Sequence, residues 1–545
     1  MTFQTHEVLN QVPVLENYDT VQHPVYGEFL TSVGAGTALD EIHAFGRLAG
    51  SAHVRQLGDL VEVHQPVLHT HDRNGYRIDK VEYSPAYHEL MSTAIGNGLG
   101  GTPWVENRDH AHLLRAVKFS AWQSSDVGHT CPVTMTYAAV PALQADSELA
   151  AMYVPGLSNG KYDSAFVTPS AKDGLIAGMS MTEKQGGSDV RANTTYAVPQ
   201  PDGTYRITGH KWFTSAPMSD ILLTLAQTPA GQTCFILPRV LPDGSRNAIS
   251  LQRLKNKLGN KSNASSEIEY HEAIGWRLGE EGRGVRTIIE MVNMTRLDVS
   301  MTSAALMMIG LTRASHHARH RDAFGATLID KPLMRNVLAD LAVEAESSTL
   351  AGMWLAHLTD RVHQGDQEAA LLRRLSLPAT KFYVCKRAPS HTAETLECLG
   401  GNGYVEDSGM PRLYREAPLG SIWEGSGNVA ALDVLRALAR SPEAFDLLND
   451  RFESQRGADG RFDEFTRDLK NRLGSADDLE FDARVLVGDL ALAIQASVLL
   501  EHGNSSVTDV FLQTRLSRQW GTTYGTLPST AGVDEILERT LTTTY

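Results

Sequence analysis

An α+β chain of several domains is what this sequence predicts: a helical N-terminal domain, a small β domain in the middle, a helical bundle and a helical C-terminal extension. Three observations carry that expectation. A length of 545 residues exceeds one compact core and, at roughly 150 residues per domain, suggests three or four domains. Near Gly174 the texture changes from helix-like to short alternating runs separated by turn residues, and after Gly284 it changes back. Four long amphipathic segments then follow one another, the pattern of a bundle.

Residues 1–174 read as helical, broken by loops at Asn97-Gly98-Leu99-Gly100-Gly101 and Val154-Pro155-Gly156. In 175–282, the runs 205–208 and 211–215 flank Gly209-His210, a two-residue loop that reads as a β-hairpin. Strand-like runs continue at 221–227, 234–238, 250–254 and 266–271. From 283 to 440 the helical period returns. Leu297, Met301, Ala304, Met308 and Leu311 share one face, and Pro332 suits the first turn of a second helix carrying Leu333, Val337 and Leu341. A third segment, 366–399, runs into Gly400-Gly401, and a fourth from Asn428 carries Val429, Leu432, Leu435 and Leu438. Arg440-Ser441-Pro442 marks a boundary, leaving 441–545 as the extension.

Composition narrows the function classes. Hydrophobic residues at 42% and charged residues at 21% are ordinary for a globular chain. No run of about 18 apolar residues stands out, so no membrane span is expected. MTFQTHEVLN has neither a basic n-region nor an apolar h-region. Cys131, Cys234, Cys385 and Cys398 are scattered without CxxC spacing, which points to a reducing, cytoplasmic setting and no structural metal. A net charge of −15 counts against nucleic-acid binding over the whole surface, though not against a local basic patch.

Four local motifs can carry chemistry. The first, Met181-Thr182-Glu183-Lys184-Gln185-Gly186-Gly187-Ser188-Asp189, contains a Gly-Gly-Ser turn. Its N–H groups and hydroxyl suit a phosphate or a polar ring edge, the alternative being an ordinary loop before a strand. In the second, Lys211-Trp212-Phe213-Thr214-Ser215, alternation puts Lys211, Phe213 and Ser215 on one face and Trp212 and Thr214 on the other. An aromatic beside a hydroxyl can flank a flat cofactor, or pack into the domain's own core. The third is Arg319-His320-Arg321-Asp322-Ala323-Phe324-Gly325, closing a long helix. An arginine fork there suits a pyrophosphate, although the helix dipole favours cations at a C-terminus in any case. His316 and His320 stand four apart but lack further ligands, so no metal is expected. The fourth is Ser421-Ile422-Trp423-Glu424-Gly425-Ser426-Gly427-Asn428. A carboxylate beside Ile422 and Trp423 would be partly desolvated, which raises its pKa towards that of a general base. Ser426 and Asn428 sit where N-cap and phosphate-contacting groups belong, and a capped helix start with an incidental glutamate is the alternative. Gly156-Leu157-Ser158-Asn159-Gly160 matches GxSxG, but Pro155 precedes it and no periodic helix follows, so it reads as a loop.

Taken in this order, the four motifs resemble those of the acyl-CoA dehydrogenase family. Thr182 to Asp189 is similar to its Thr-Glu-Pro-Gly-Ala-Gly-Ser-Asp, with Lys184 and Gln185 in place of Pro and Gly. Phe213-Thr214-Ser215 resembles its Trp-Ile-Thr strand end, Arg321…Phe324-Gly325 its Arg-x-x-Phe-Gly, Gly400-Gly401-Asn402-Gly403-Tyr404 its Gly-Gly-x-Gly turn, and Glu424-Gly425-Ser426 its Glu-Gly-Thr. The phrases CPVTMTYAAVP (131–141), GMSMTEKQGGSDV (178–190), KLGNKSNAS (257–265) and PRLYREAPLGSIWEGSGN (411–428) resemble the AidB-like subgroup, linked to DNA alkylation damage.

The resemblance implies a β-barrel middle domain, a four-helix bundle and FAD. It implies that FAD contacts Met181, Thr182, Gly187, Ser188, Phe213, Ser215, Trp423, Ser426 and Asn428, with Ser215 beside flavin N5. It further implies that Arg321 and Phe324 meet the FAD of a neighbouring subunit in a homotetramer. Glu424 would be the base for α,β-dehydrogenation of an acyl-CoA of short or branched chain, and Arg296 would bind substrate. Some family members take the base from the helix matching 290–300, where this sequence has Thr295. Double-stranded DNA is an additional candidate partner, through the C-terminal domain. That makes an FAD-containing DNA-binding or protective protein with little dehydrogenase activity the alternative function. Yet 441–545 holds 10 Lys and Arg against 18 Asp and Glu, where phosphate contacts call for a basic surface. Arg373, Arg374, Lys381, Lys386 and Arg387, with no acid between Leu371 and Ala388, form the better basic stretch.

Overall fold

The computed structural model describes residues 5–475 and 478–540. Its contacts divide the chain into two units: 53–298, and a second assembled from the segments before and after it.

The first unit opens with helices. Ser84 caps Pro85–Gly96 by accepting from Tyr87 N, with Pro85 at the position where a missing N–H costs nothing. Asp146 caps Ser147–Ser158 through the N–H groups of Glu148 and Leu149. Two expectations are corrected here. Residues 154–156 and the GxSxG serine are not loop but the last turns of Ser147–Ser158, where a Cβ on Gly156 would come within 2.6 Å of Leu175. A hairpin, β1 (Val67–His71) and β2 (Arg77–Glu82), interrupts the stretch read as helical.

Seven strands follow: β3 (Ala177–Ser180), β4 (Tyr196–Pro199), β5 (Tyr205–Ser215), β6 (Ile221–Thr228), β7 (Gly231–Pro238), β8 (Ile249–Leu254) and β9 (Ser265–Leu278). They are ordered β3-β5-β4-β6-β7-β9-β8, and the extra β5–β9 pairing closes the sheet on itself as a barrel. Ile207, Leu222, Phe235, Leu237, Leu251 and Ile268 fill its core. The runs on either side of Gly209 are not two hairpin arms. They are one strand, β5, which pairs with β9 along its length and shifts register between Ile207 and Gly209. Gly209, at φ 149°, lets that kink press against Thr195, whose Oγ1 a Cβ would approach to 2.4 Å.

The second unit holds the expected long helices. Gly284–His320 enters it at Val299, and Pro332–His363, Gln367–Glu397 and Gly427–Arg440 follow. Asp366 caps the third by accepting from Ala369 N. Residues 5–52 add Pro24–Ser32 and Leu39–Ala49, and the later chain adds Pro442–Ser454, Gly460–Ser475, Leu479–His502 and Val533–Arg539. Contrary to the composition reading, Leu479–His502 is long and apolar enough to cross a membrane, but 78% of its apolar window is buried inside the protein. Its side chains are apolar because they pack against Pro332–His363 and Gln367–Glu397.

Candidate active site

In the barrel, the Thr182–Ser188 loop is anchored from below. Trp212 N donates to Thr182 O at 2.8 Å, and Asn193 Nδ2 to Met181 O at 2.9 Å. Glu183 is buried and accepts from Lys211 Nζ (2.9 Å), Thr195 N (3.1 Å), Thr194 N (2.7 Å) and Gln185 Nε2 (2.7 Å). Burial alone would raise its pKa, but Lys211 and these hydrogen bonds hold the carboxyl well below the usual range. The pair pins β5 to the loop, so Met181 and Thr182 are fixed while Gly187 and Ser188 stay exposed above them. A Cβ on Gly187 would lie 2.5 Å from Thr182 Oγ1, so the turn needs glycine there. The sequence signal for this pair is slight: Glu183 stands in the turn motif and Lys211 in a strand-like run 28 residues on.

Strict alternation along 211–215 fails. Between Lys211 and Thr214, β5 spends three steps where β9 spends two, a bulge that turns both Lys211 and Thr214 inward. Phe213 therefore faces out, 48% exposed, with Lys255 Nζ 4.7 Å from its ring centre. Ser215 Oγ accepts from Asn263 Nδ2 at 3.4 Å. Asn263 belongs to the 257–265 segment, which Ser262 ties down by donating to Asp126 at 2.6 Å. His129 Nδ1 lies 3.0 Å from the same carboxylate, and Trp122 Nε1 donates to His129 Nε2 at 2.7 Å. Burial raises the Asp126 pKa, yet His129 and Ser262 outweigh it and bring it down to about 2. This is not a nucleophile triad, because the serine donates to the carboxylate and the far imidazole nitrogen is engaged by tryptophan. On Gly284–His320, Thr295 and Arg296 are both buried. Two residues on, Asp298 accepts from Arg115 Nη2 (2.7 Å) and Thr134 Oγ1 (2.8 Å).

The second unit holds Glu424 on a tight turn before Gly427–Arg440. Its φ of 57° is left-handed, rare for a residue with a Cβ, and Gly425 follows at 100°. Lys381 Nζ donates to Trp423 O (3.0 Å) and to Gly425 O, so one buried ammonium holds the carbonyls on both sides of Glu424. Trp423 Nε1 is buried with no hydrogen-bond partner among the described residues. Ser426 occupies the N-cap position, but its hydroxyl makes no capping bond; Asn428 Oδ1 accepts from Arg484 at 3.2 Å. Arg321 precedes a hairpin, β10 (Asp322–Ala323) and β11 (Ala326–Thr327), with Phe324-Gly325 at its tip. Both tip residues have positive φ, as a type I′ turn demands, and Phe324 is 98% exposed. Arg321 donates to Asn10 O, while Asn10 pairs with the backbone N and O of Asp322 at 2.8 Å each.

The basic stretch at 373–387 is not the open surface it promised. Lys381 is 1% exposed, Arg374 pairs with Asp433 at 3.2 Å and Arg387 with Glu344 at 3.3 Å. Of the five cations Lys386 is exposed, whereas Lys381, Arg374 and Arg387 are spent on internal partners.

Sequence comparison finds the adaptive response protein AidB N-terminal domain over 10–164, the acyl-CoA dehydrogenase middle domain over 178–273 and the acyl-CoA dehydrogenase C-terminal domain over 282–439. The putative acyl-CoA dehydrogenase AidB of Escherichia coli (strain K12) is 43% identical over 526 residues, covering 96% of each chain. The chain belongs to the acyl-CoA dehydrogenase family. Acyl-CoA dehydrogenase family member 11 of Caenorhabditis elegans is 33% identical over 78% of this chain and 71% of its own. Among solved structures, Caenorhabditis elegans ACDH-11 in complex with C11-CoA superposes with a TM-score of 0.85 at 29% identity, covering 95% of this chain and 93% of that one. The butyryl-CoA dehydrogenase of Megasphaera elsdenii, at TM-score 0.59 and 21% identity, shares the fold. The chain is thus an acyl-CoA dehydrogenase-type oxidoreductase by family, with that family's barrel and helical domains.

Proposed function

We propose that this protein oxidises the Cα–Cβ bond of an acyl-CoA thioester, with FAD as cofactor and Glu424 as base. The observation that carries the reading is Glu424 itself: a carboxylate on a left-handed turn whose flanking carbonyls share one buried ammonium. Strain of this kind, of order 1–3 kcal/mol, persists where the surroundings over-determine it. The C11-CoA complex of the similar nematode protein supports an acyl-CoA substrate. In this reading FAD, when bound, supplies the hydride acceptor.

Each unit by itself offers groups that suit a flavin. In 53–298, Met181, Thr182, Gly187 and Ser188 form a fixed loop with an exposed, Cβ-free crest and Phe213 offers an exposed ring; in the other unit, Trp423 Nε1 is a buried donor with capacity to spare. Ser215, Ser426 and Asn428 add polar contacts, and Arg296 is the substrate-side cation. Arg321 and exposed Phe324 reach the cofactor of a neighbouring copy in a tetramer. Anaerobic bleaching of the FAD-loaded protein with a panel of acyl-CoAs tests the reaction, and rapid bleaching by one short or branched chain is expected. E424Q is expected to keep FAD and to lose bleaching by at least 10³-fold, about 4 kcal/mol in barrier. Full bleaching in E424Q removes the residue from the role, and no bleaching of the parent by any acyl-CoA sinks the reaction.

The adaptive-response match over 10–164 supports a part in the response to alkylation. Within 373–387, Lys381, Arg374 and Arg387 are engaged internally, which leaves exposed Lys386 as the cation of that stretch open to a DNA phosphate. Gel-shift titration against salt tests it, since binding through phosphates weakens steeply as salt rises. The four buried thiols support a cytoplasmic setting.

A further inference from the structure

Lys381 sits within Gln367–Glu397, and its buried ammonium donates to two carbonyls of the Glu424 turn. Geometry makes those two bonds matter. No cis peptide occurs among the described residues, and in a trans peptide the N–H points opposite to the C=O. Holding Trp423 O on Lys381 therefore turns the Glu424 N–H away from the helix. Holding Gly425 O turns the Ser426 N–H away likewise. The turn is also seated at both ends. A Cβ on Gly420 would lie 2.5 Å from Ser303 Oγ and 3.4 Å from Cys385 Sγ, and one on Gly427 would lie 2.8 Å from Lys386 Cε. The backbone of the turn is thus held by Gln367–Glu397 and, at Gly420, also by Ser303 of Gly284–His320, with the Glu424 and Ser426 N–H groups directed away from Lys381.

We propose that Lys381 is a positioning residue which aims the Glu424 and Ser426 N–H groups at the thioester oxygen of the bound acyl-CoA. The assignment rests on the dehydrogenase reading above. In the step concerned, the Glu424 carboxylate takes the α-proton, the C–H electron pair moves onto the thioester carbonyl, and an enolate oxygen forms. Donors already aimed at that oxygen stabilise it without reorganising, which is where an oxyanion site gains its effect. Lys381 acts through the two carbonyls it holds.

The test uses the full-length, FAD-loaded protein and acetoacetyl-CoA, whose enolate is read directly by its ultraviolet absorbance and which needs no turnover. The parent is expected to lower the midpoint of enolate formation relative to free acetoacetyl-CoA. K381M is expected to retain FAD and to raise that midpoint by about two to three pH units, from the roughly 10²–10³-fold worth of one oxyanion donor. K381R, which keeps donors for both carbonyls, is expected to restore it. A K381M midpoint equal to the parent's overturns the assignment. If K381M does not fold, K381Q, with a shorter donor, is expected to give an intermediate midpoint, and an unshifted one overturns the assignment equally. A parent that bleaches with acyl-CoA yet leaves the acetoacetyl-CoA midpoint unmoved overturns the oxyanion role alone. A parent that does neither overturns the dehydrogenase reading with it.

Discussion

Individual residues here matter through the groups they hold in place. Ser262 donates to a buried carboxylate that also binds His129, so S262A leaves Asp126 short of one charge-assisted bond. The expected loss is about 1.5–3 kcal/mol, read by urea unfolding. Asp126 also sets an acid limit. Its folded pKa of about 2 lies below the ordinary 3.8, so its contribution to stability is complete above the ordinary value and is lost as pH falls through the folded one. Unfolding curves for the parent and S262A are expected to converge across that window. At this scale the sequence was informative about chemistry and poor about direction. Glu424, Thr182 and Ser215 are candidates picked out by residue type and order. The roles of Lys211 and Lys381 were missed, because a lysine's value here depends on which distant carboxylate or carbonyl it meets.

Elements show why local patterns mislead. Gly209-His210 between two strand-like runs has the composition of a tight turn, yet β5 continues through it because β9 offers a partner along the whole length. Pairing with a strand about 60 residues away overrides the local turn signal. G209A probes the kink: at φ 149° a Cβ 2.4 Å from Thr195 Oγ1 and 2.7 Å from Thr195 Cα clashes. The expected cost is about 1–3 kcal/mol, seen as a lower Tm. The same pairing explains Phe213, since a period-2 reading has no place for a bulge. The long helices were legible because a sustained 3.6-residue period is hard to imitate by chance. The β1–β2 hairpin was not, being short and half polar.

Across the second unit, charge is spent inward. The C-terminal segment closes over Pro332–His363 through Arg515 to Asp340 (2.6 Å) and Glu344 (3.2 Å), and Arg539 to Glu346 (2.6 Å) and Glu28 (2.6 Å). R515M would leave buried Asp340 without its cation and Glu344 with Arg387 alone. An expected loss of about 3–5 kcal/mol in denaturant unfolding follows, far above the effect of a surface pair. None of this could be read from composition, in which an arginine facing solvent and one facing Asp340 count alike. The return of 5–52 to pack with 299–540 likewise has no local signal, since it depends on contacts hundreds of residues apart.

Leu479–His502 has a consequence for synthesis. Among the described residues it is the one helix long and apolar enough to cross a membrane, and the helices that bury it, Pro332–His363 and Gln367–Glu397, leave the ribosome before it does. At 5–20 residues per second those partners have several seconds to collapse before the segment appears. Chain order thus acts as a built-in chaperone: the sticky helix is made only once there is something for it to stick to.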